Sequence, residues 1–267
     1  MILQKQITEW YDIAPWSNLD QVEHDFILSR ALCELYSSPI IANELVFRGG
    51  TALHKLFFSS AGRFSEDLDF VQREAKPIGN VIDVVRQILD PWLGKPKWKQ
   101  SEGRFTLYYR FTTEVEPVVS RKLKIEINTR EHFHIFPHKK IAFNIDSSWY
   151  KASTEILTYQ LEELLGTKLR ALYQRKKGRD LFDFWFAFQQ QPNIKVEDVV
   201  YAFNHYMEKN NTSVSRKVYR DNLEAKRLDP LFNKDIMSLL TLNDAQSYSL
   251  DEAYNILFDR IIPLLDE

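Results

Sequence analysis

From Thr158 onward the period of the apolar residues is helical throughout, and that change constrains the fold more than any other feature. Between residues 104 and 128 the segments RFTLYYRFTT and VVSRKLKIEIN alternate apolar and polar positions, as half-buried strands do. From Thr158 onward the apolar residues recur at three- and four-residue intervals, through YQLEELLGTKLRALYQRK, RDLFDFWFAFQQ, VEDVVYAFNHYMEK, SRKVYRDNLEAKRL and DEAYNILFDRIIPLL. That is the spacing of amphipathic helices. The chain therefore reads as α+β, a mixed half over residues 1–157 followed by a helical half over 158–267. Within the first half the pattern predicts a helix over 17–37, stopped by SSP, and a short strand over Leu45–Phe47. A glycine turn follows, then a helical stretch to Leu56, a strand over Phe64–Val71, a helix over 80–93 disturbed at Pro91, and a strand at IAFNI.

Composition excludes several classes. A chain of 267 residues, 44% hydrophobic and 27% charged, can bury a substantial core. No apolar run approaches the roughly 20 residues that cross a bilayer, and MILQKQITEWYDIAPW lacks the basic-then-apolar order of a leader, so a cytoplasmic protein that does not meet the membrane is expected. Cys33 is the only cysteine, which excludes an internal disulfide and a cysteine metal cluster; Leu32, Leu35 and Tyr36 around it favour a buried thiol. The net charge of −2 selects no class of partner. His132, His134 and His138 in EHFHIFPHKK have no cysteine nearby and a proline among them, and are not read as a zinc site.

Chemistry concentrates in FRGGTALHKLFFSSAGRFSEDLDF, residues 47–70. On a strand, residues two apart share a face, so Asp67 and Asp69 project side by side while Phe64, Leu68 and Phe70 pack behind them. Two adjacent carboxylates repel unless a cation lies between them, and hard divalent ions take such oxygen ligands. A solvated edge strand carries the same Asp-x-Asp pair. Gly49 and Gly50 follow a strand and precede Thr51 at the start of a helix, where free backbone N–H groups can face a phosphate. A plain strand-to-helix turn has the same residues. In KLKIEIN, Glu126 shares a face with Lys124 and Asn128, away from Ile125 and Ile127; it is either a third carboxylate for a metal-assisted reaction or a surface strand residue.

In the helical half, Lys168 falls inside the stripe Leu161, Leu164, Leu165 and Leu172, where an ammonium must either reach an anion or snorkel to water. Asp180 and Asp183 lie three apart on an otherwise apolar helix and need partners, for which Lys168 and Arg179 are the nearest candidates. An aspartate in the first turn can also simply complement the helix dipole. Basic residues cluster at Lys168, Arg170, Arg175, Lys176, Lys177 and Arg179, and again at Arg216, Lys217, Arg220, Lys226 and Arg227 around Tyr219. Such clusters attract phosphates whatever the net charge, or are merely solvated helix faces.

Gly49-Gly50, Asp67-Leu68-Asp69-Phe70 and a later strand carboxylate together resemble the DNA polymerase β-like nucleotidyltransferases. The strings FRGGTALHKL, RFSEDLDF and KLRALYQRKKGRDLFD are similar to one branch, the AbiEii/AbiGii (MenT-like) nucleotidyltransferase toxins of bacterial toxin–antitoxin and phage-defence systems. The resemblance spans roughly residues 43–72, 121–128 and 160–186. It implies a polymerase β-like domain with a small mixed sheet flanked by helices, followed by a C-terminal helical bundle that completes the cleft. It further implies Gly49, Gly50, Thr51 and Ser65 at the nucleotide, Asp67, Asp69 and Glu126 at magnesium or manganese, and Lys168 and Asp180 as essential partners, with Lys168 on the phosphates. Many relatives have aspartate where Glu126 stands. The reaction implied is transfer of a nucleoside monophosphate from a triphosphate to an RNA, such as a tRNA 3′ end, with Arg175, Lys176, Lys177 and Arg179 on the RNA and an antitoxin as a further partner. Protein nucleotidylation, sequestration without turnover and antibiotic nucleotidylation stay open as alternatives.

Overall fold

The computed structural model describes residues 2–60 and 62–267. Two compact units divide the chain, 1–159 and 160–267.

The first unit is built on seven strands: β1 (Leu45–Arg48), β2 (Asp67–Gln72), β3 (Lys97–Ser101), β4 (Arg104–Thr112), β5 (Ser120–Asn128), β6 (Lys139–Asp146) and β7 (Lys151–Thr158). They form one mixed sheet in the order β3-β4-β5-β2-β1-β7-β6. β2 runs antiparallel to β1 and parallel to β5, so residues from three separated stretches of chain meet at its centre. Helices α1 (Gln4–Trp10), α2 (Leu19–Tyr36), α3 (Pro39–Glu44), α4 (Gly49–Leu56) and α5 (Gly79–Leu93) complete the unit.

The alternation in the strands explains which face is covered. Leu68 and Phe70 of β2, Leu123, Ile125 and Ile127 of β5, and Phe105, Leu107 and Tyr109 of β4 are buried, while the residues between them are not uniformly so. α2 is buried along most of its length, and two of its acids bind across the unit. Glu23 accepts from the amides of Glu114 and Val115 at the β4–β5 turn, and Asp25 accepts from Trp10 Nε1 at 2.9 Å and from Lys55 at 3.0 Å. Tyr36 Oη lies 3.1 and 3.0 Å from the carbonyls of Leu45 and Leu157, tying β1 to β7.

Three expectations are corrected. The strand predicted over Phe64–Val71 begins at Asp67, because Phe64 packs edge-on to Trp16 and His24 and Ser65 bonds to a helix instead of a ladder partner. α5 runs through Pro91 to Leu93: the proline sits in the last turn, where one lost bond is tolerated, and the stop is Gly94 at φ +77°. Two strands carried no recognisable signal: β3 is exposed at every residue, and β7 is buried only at its C-terminal end.

The second unit consists of α6 (Leu161–Gln174), α7 (Gly178–Gln190), α8 (Val196–Glu208), α9 (Arg216–Arg227), α10 (Pro230–Lys234), α11 (Leu242–Ser247) and α12 (Leu250–Asn255), the last followed by a π-helical turn over Ile256–Ile261. α6 and α8 pack closely because position 166 is glycine; a Cβ there would stand 2.6 Å from that of Ala202. Among the described residues, no helix is long and apolar enough to cross a membrane.

Candidate active site

The centre of the sheet in the first unit gathers the acids expected from the sequence. Asp69 is opposite Glu126 across the parallel β2–β5 pair and opposite Arg48 across the β1–β2 pair; Asp67 is opposite Lys124. Asp67, Asp69, Lys124 and Glu126 therefore lie on one face, because side chains two apart share it. Lys124 Nζ stands 3.1 Å from Asp67 Oδ2 and 3.0 Å from Glu126 Oε2, and Arg104 Nε reaches Glu126 Oε1 at 3.2 Å.

The electrostatics follow from that crowding. Burial, reinforced by Asp67 and Glu126, pushes the Asp69 carboxyl above its ordinary value against the opposing Lys124 and Arg48. Burial works against the Lys124 ammonium, but Asp67, Glu126 and Asp69 outweigh it and hold it charged well above the ordinary lysine range.

β1 delivers the chain directly into α4, with Arg48 at the cap position and no side chain bonding the first turn. The early amides of an α-helix have no intrahelical acceptor, and here those of Gly49, Gly50 and Thr51 begin the helix beside the carboxylates. Gly49 adopts φ +82°, and a Cβ there would come within 2.6 Å of Asp69 Oδ2, so glycine is what allows the turn and the carboxylate to be neighbours. The Thr51 hydroxyl is a brace: it donates to the Asp67 carbonyl at 2.6 Å and lies 2.6 Å from Ser65 Oγ. Its single proton being given to Asp67, the Ser65 hydroxyl donates to Thr51.

Magnesium and manganese take oxygen ligands. Asp67 and Asp69 fit such an ion, since Asp69 is electrostatically short of a counter-charge. Glu126 stands opposite Asp69 on the neighbouring strand β5, on the face that the sequence assigned to it. Lys124 bridges it to Asp67, and among the described residues no three His, Cys, Asp or Glu side chains converge as a metal cluster.

The remaining predicted residues lie in the second unit. Lys168 Nζ pairs with Asp183 Oδ2 at 2.7 Å and Asp180 Oδ1 at 3.1 Å, and both aspartates are wholly buried. The second cation on Asp180 is Arg175, not Arg179 as the spacing suggested; its Nε and Nη2 bond the two carboxylate oxygens at 2.7 and 2.8 Å. Arg175 follows the end of α6, where it turns back on the first turn of α7, a placement that helical spacing cannot express. Burial alone would raise Asp180, but Lys168 and Arg175 outweigh it and hold the carboxyl below its ordinary value. Lys176 and Lys177 reach Asp229 at 3.4 Å and Asp235 at 3.6 Å, so three of the four residues expected to meet RNA are engaged with carboxylates.

With this geometry in hand, a family profile described as nucleotidyl transferase AbiEii toxin, Type IV TA system, matches residues 30–256. The chain belongs to the AbiEii nucleotidyltransferase toxin family. Its solved structural neighbours agree on the fold: MenT4, a nucleotidyltransferase toxin from Mycobacterium tuberculosis H37Rv, superposes with a TM-score of 0.60 at 19% identity, covering 97% of this chain and 95% of that one. JHP933 from Helicobacter pylori gives 0.54 at 22% identity, covering 88% and 87%. No curated protein matches the sequence.

Two features of this AbiEii chain were missed in the sequence. Lys124 was placed on the face of Glu126 but given no role; the signal was its position two residues from an acid on a strand beside another acidic strand. Lys55, half-buried against Asp25 and Ser29, borders a cavity of about 170 Å³ that also touches Thr51, Arg63 and Ser65. It lies on α4, the helix that begins at Gly49.

Proposed function

We propose that this AbiEii-family nucleotidyltransferase transfers a nucleoside monophosphate from a nucleoside triphosphate to the 3′ end of an RNA, with tRNA as the acceptor, in the cytoplasm, and that an antitoxin restrains it. The observation that carries the reading is the Asp67–Asp69 pair set beside the Gly49 turn, which opens α4 with no side chain capping its first turn.

Gly49, Gly50 and Thr51 amides bind the triphosphate, and the Ser65 hydroxyl joins them by turning its proton from Thr51 to a phosphate oxygen. Asp67 and Asp69 would hold magnesium or manganese, which neutralises phosphate charge and polarises the α-phosphate when bound. Glu126 receives the proton of the acceptor hydroxyl as its oxygen attacks the α-phosphorus; the bond from that phosphorus to the bridging oxygen breaks and pyrophosphate leaves. Lys124 holds Glu126 and Asp67 in place until the substrates arrive.

The test is incubation of the purified protein with total RNA and each of four α-labelled nucleoside triphosphates, with and without magnesium, beside Asp67→Ala/Asp69→Ala. Label in a tRNA-sized band that needs the metal and both aspartates is the expected result. Label in a protein band instead would reassign the acceptor while keeping the chemistry. No label with any triphosphate would leave sequestration as the mode of toxicity.

A further inference from the structure

The acidic centre is the middle of a longer polar face, and its two flanks differ in charge. Strand register defines the face: Asp69 opposes Glu126, Glu126 opposes Thr106, and Thr106 opposes Lys99. One pleat along, Asp67, Lys124, Tyr108 and Lys97 are in line, and Lys122 opposes Arg110. From β2 outward to the edge strand β3 this face is therefore basic. Lys124 is occupied by the carboxylates of the centre. Lys97, Lys99, Arg110 and Lys122 are exposed and make no ion pair among the described residues. On the other flank the sheet order places β1, which leads into the Gly49–Gly50 turn. A phosphate-binding turn on one side and unpaired cations on the other give the centre two distinct anionic partners.

A cavity of about 340 Å³ joins the basic flank to the centre, lined by Asp67 and Glu66 with Arg110, Ser120, Arg121 and Lys122. Arg121 is engaged with Asp20 and Glu66, leaving Arg110 and Lys122 as its uncommitted charges. An aromatic ring accompanies the cations: Lys122 Nζ lies 5.7 Å over the half-buried Tyr108 ring, which is in line with Lys97 and Lys124.

We propose that this flank, from the cavity beside Asp67 to strand β3, binds the RNA acceptor and leads its terminal hydroxyl to the carboxylates. The inference rests on the nucleotidyl-transfer reading above and names the surface that its acceptor uses. Lys97 and Lys99, two residues apart on a strand, stand about 6.5–7 Å apart, a spacing suited to successive phosphates of an extended strand. Unpaired charge of one sign attracts a polyanion at any net charge of the protein. The Tyr108 ring on the same face offers one base a stacking partner. The cations at Arg175, Lys176 and Lys177, by contrast, already face carboxylates.

The test compares the wild-type chain, the combined variant Lys97→Gln/Lys99→Gln/Arg110→Gln/Lys122→Gln, and Asp67→Ala/Asp69→Ala. Bulk tRNA is titrated at several salt concentrations, and nucleoside triphosphate binding is measured in parallel. The four side chains are exposed, so the glutamine variant keeps its fold, checked by its thermal melt. Expected are a loss of tRNA affinity of at least about tenfold, a salt slope shallower by roughly 3, and unchanged triphosphate binding. The alanine variant should bind tRNA like wild type and transfer nothing. Unchanged tRNA affinity in the glutamine variant overturns the inference, as does affinity lost only on neutralising Arg175, Lys176, Lys177 and Arg179. A wild type that labels protein and binds no RNA also overturns it, leaving the transfer chemistry standing. RNA bound through these four cations without any transfer upholds the surface and removes the transfer reading.

Discussion

Gly49 and Asp69 are in contact in a way that no other residue at position 49 permits: a Cβ there would come 2.6 Å from Asp69 Oδ2, on a backbone at φ +82°. The same approach that brings the turn to the carboxylate makes both sensitive to any added atom.

Gly49→Ala is accordingly expected to cost about 1–2 kcal/mol for the left-handed backbone alone, with further loss from the displaced carboxylate. Transfer activity should fall to background while the protein still folds. Urea unfolding and a labelled-nucleotide assay on the same preparation check the pair of outcomes.

Asp69→Asn should separate stability from activity. Burial, then Asp67 and Glu126, raises the Asp69 carboxyl. A raised folded-state acid costs stability as pH rises from its unfolded value through its folded one, and that cost is fully present above both. Removing the charge should gain about 1 kcal/mol at neutral pH and abolish transfer. A variant that loses stability at pH 7 would contradict the electrostatic account.

His24 sets a slope on the acid side. Burial, with Arg121 adding to it, lowers the imidazole from 6.5 to about 4, and its ring lies 5.6 and 5.4 Å from those of Phe64 and Phe111. The unfolded chain binds the proton first, so stability is complete above 6.5 and is lost as pH falls from there to about 4. The loss attributable to this group is about 3 kcal/mol. His24→Phe should flatten the decline measured by denaturant titration between pH 7 and 4.5.

Lys168→Met would leave Asp180 and Asp183 buried without the ammonium that joins them. A cost of about 3–5 kcal/mol is expected, larger than that of Arg175→Ala, whose side chain is 46% exposed. Loss of activity at Lys168 thus has to be read beside the melting curve, and near-native stability of Lys168→Met would show that the network is not structural.

Thr51→Val removes the hydroxyl that joins Ser65 to the Asp67 carbonyl, at a cost of about 1–3 kcal/mol and with a reduced transfer rate. Thr51→Ser should restore both, because it returns the hydroxyl without the methyl. Equal behaviour of the two variants in the unfolding and transfer assays would rule out the brace.

The sequence by itself determined what repeats locally. Alternation placed Asp67 with Asp69, and Glu126 with Lys124, because successive Cβ atoms point to opposite faces of any strand. The three-and-four spacing put Lys168 inside a leucine stripe, and the glycine pair marked a turn open to phosphate. Only the tertiary structure decided which of these faces meet. The parallel register that sets Asp69 against Glu126, the insertion of Lys124 between Asp67 and Glu126, and the choice of Arg175 over Arg179 at Asp180 all join segments whose separation the local pattern does not encode. Strand β3 shows the same limit from the other side: its residues are all exposed, so no apolar period betrays it, and it exists because β4 offers an edge to pair with. Periodicity follows from covalent geometry and is written residue by residue, whereas pairing is settled by burial and hydrogen bonding between distant parts of the chain.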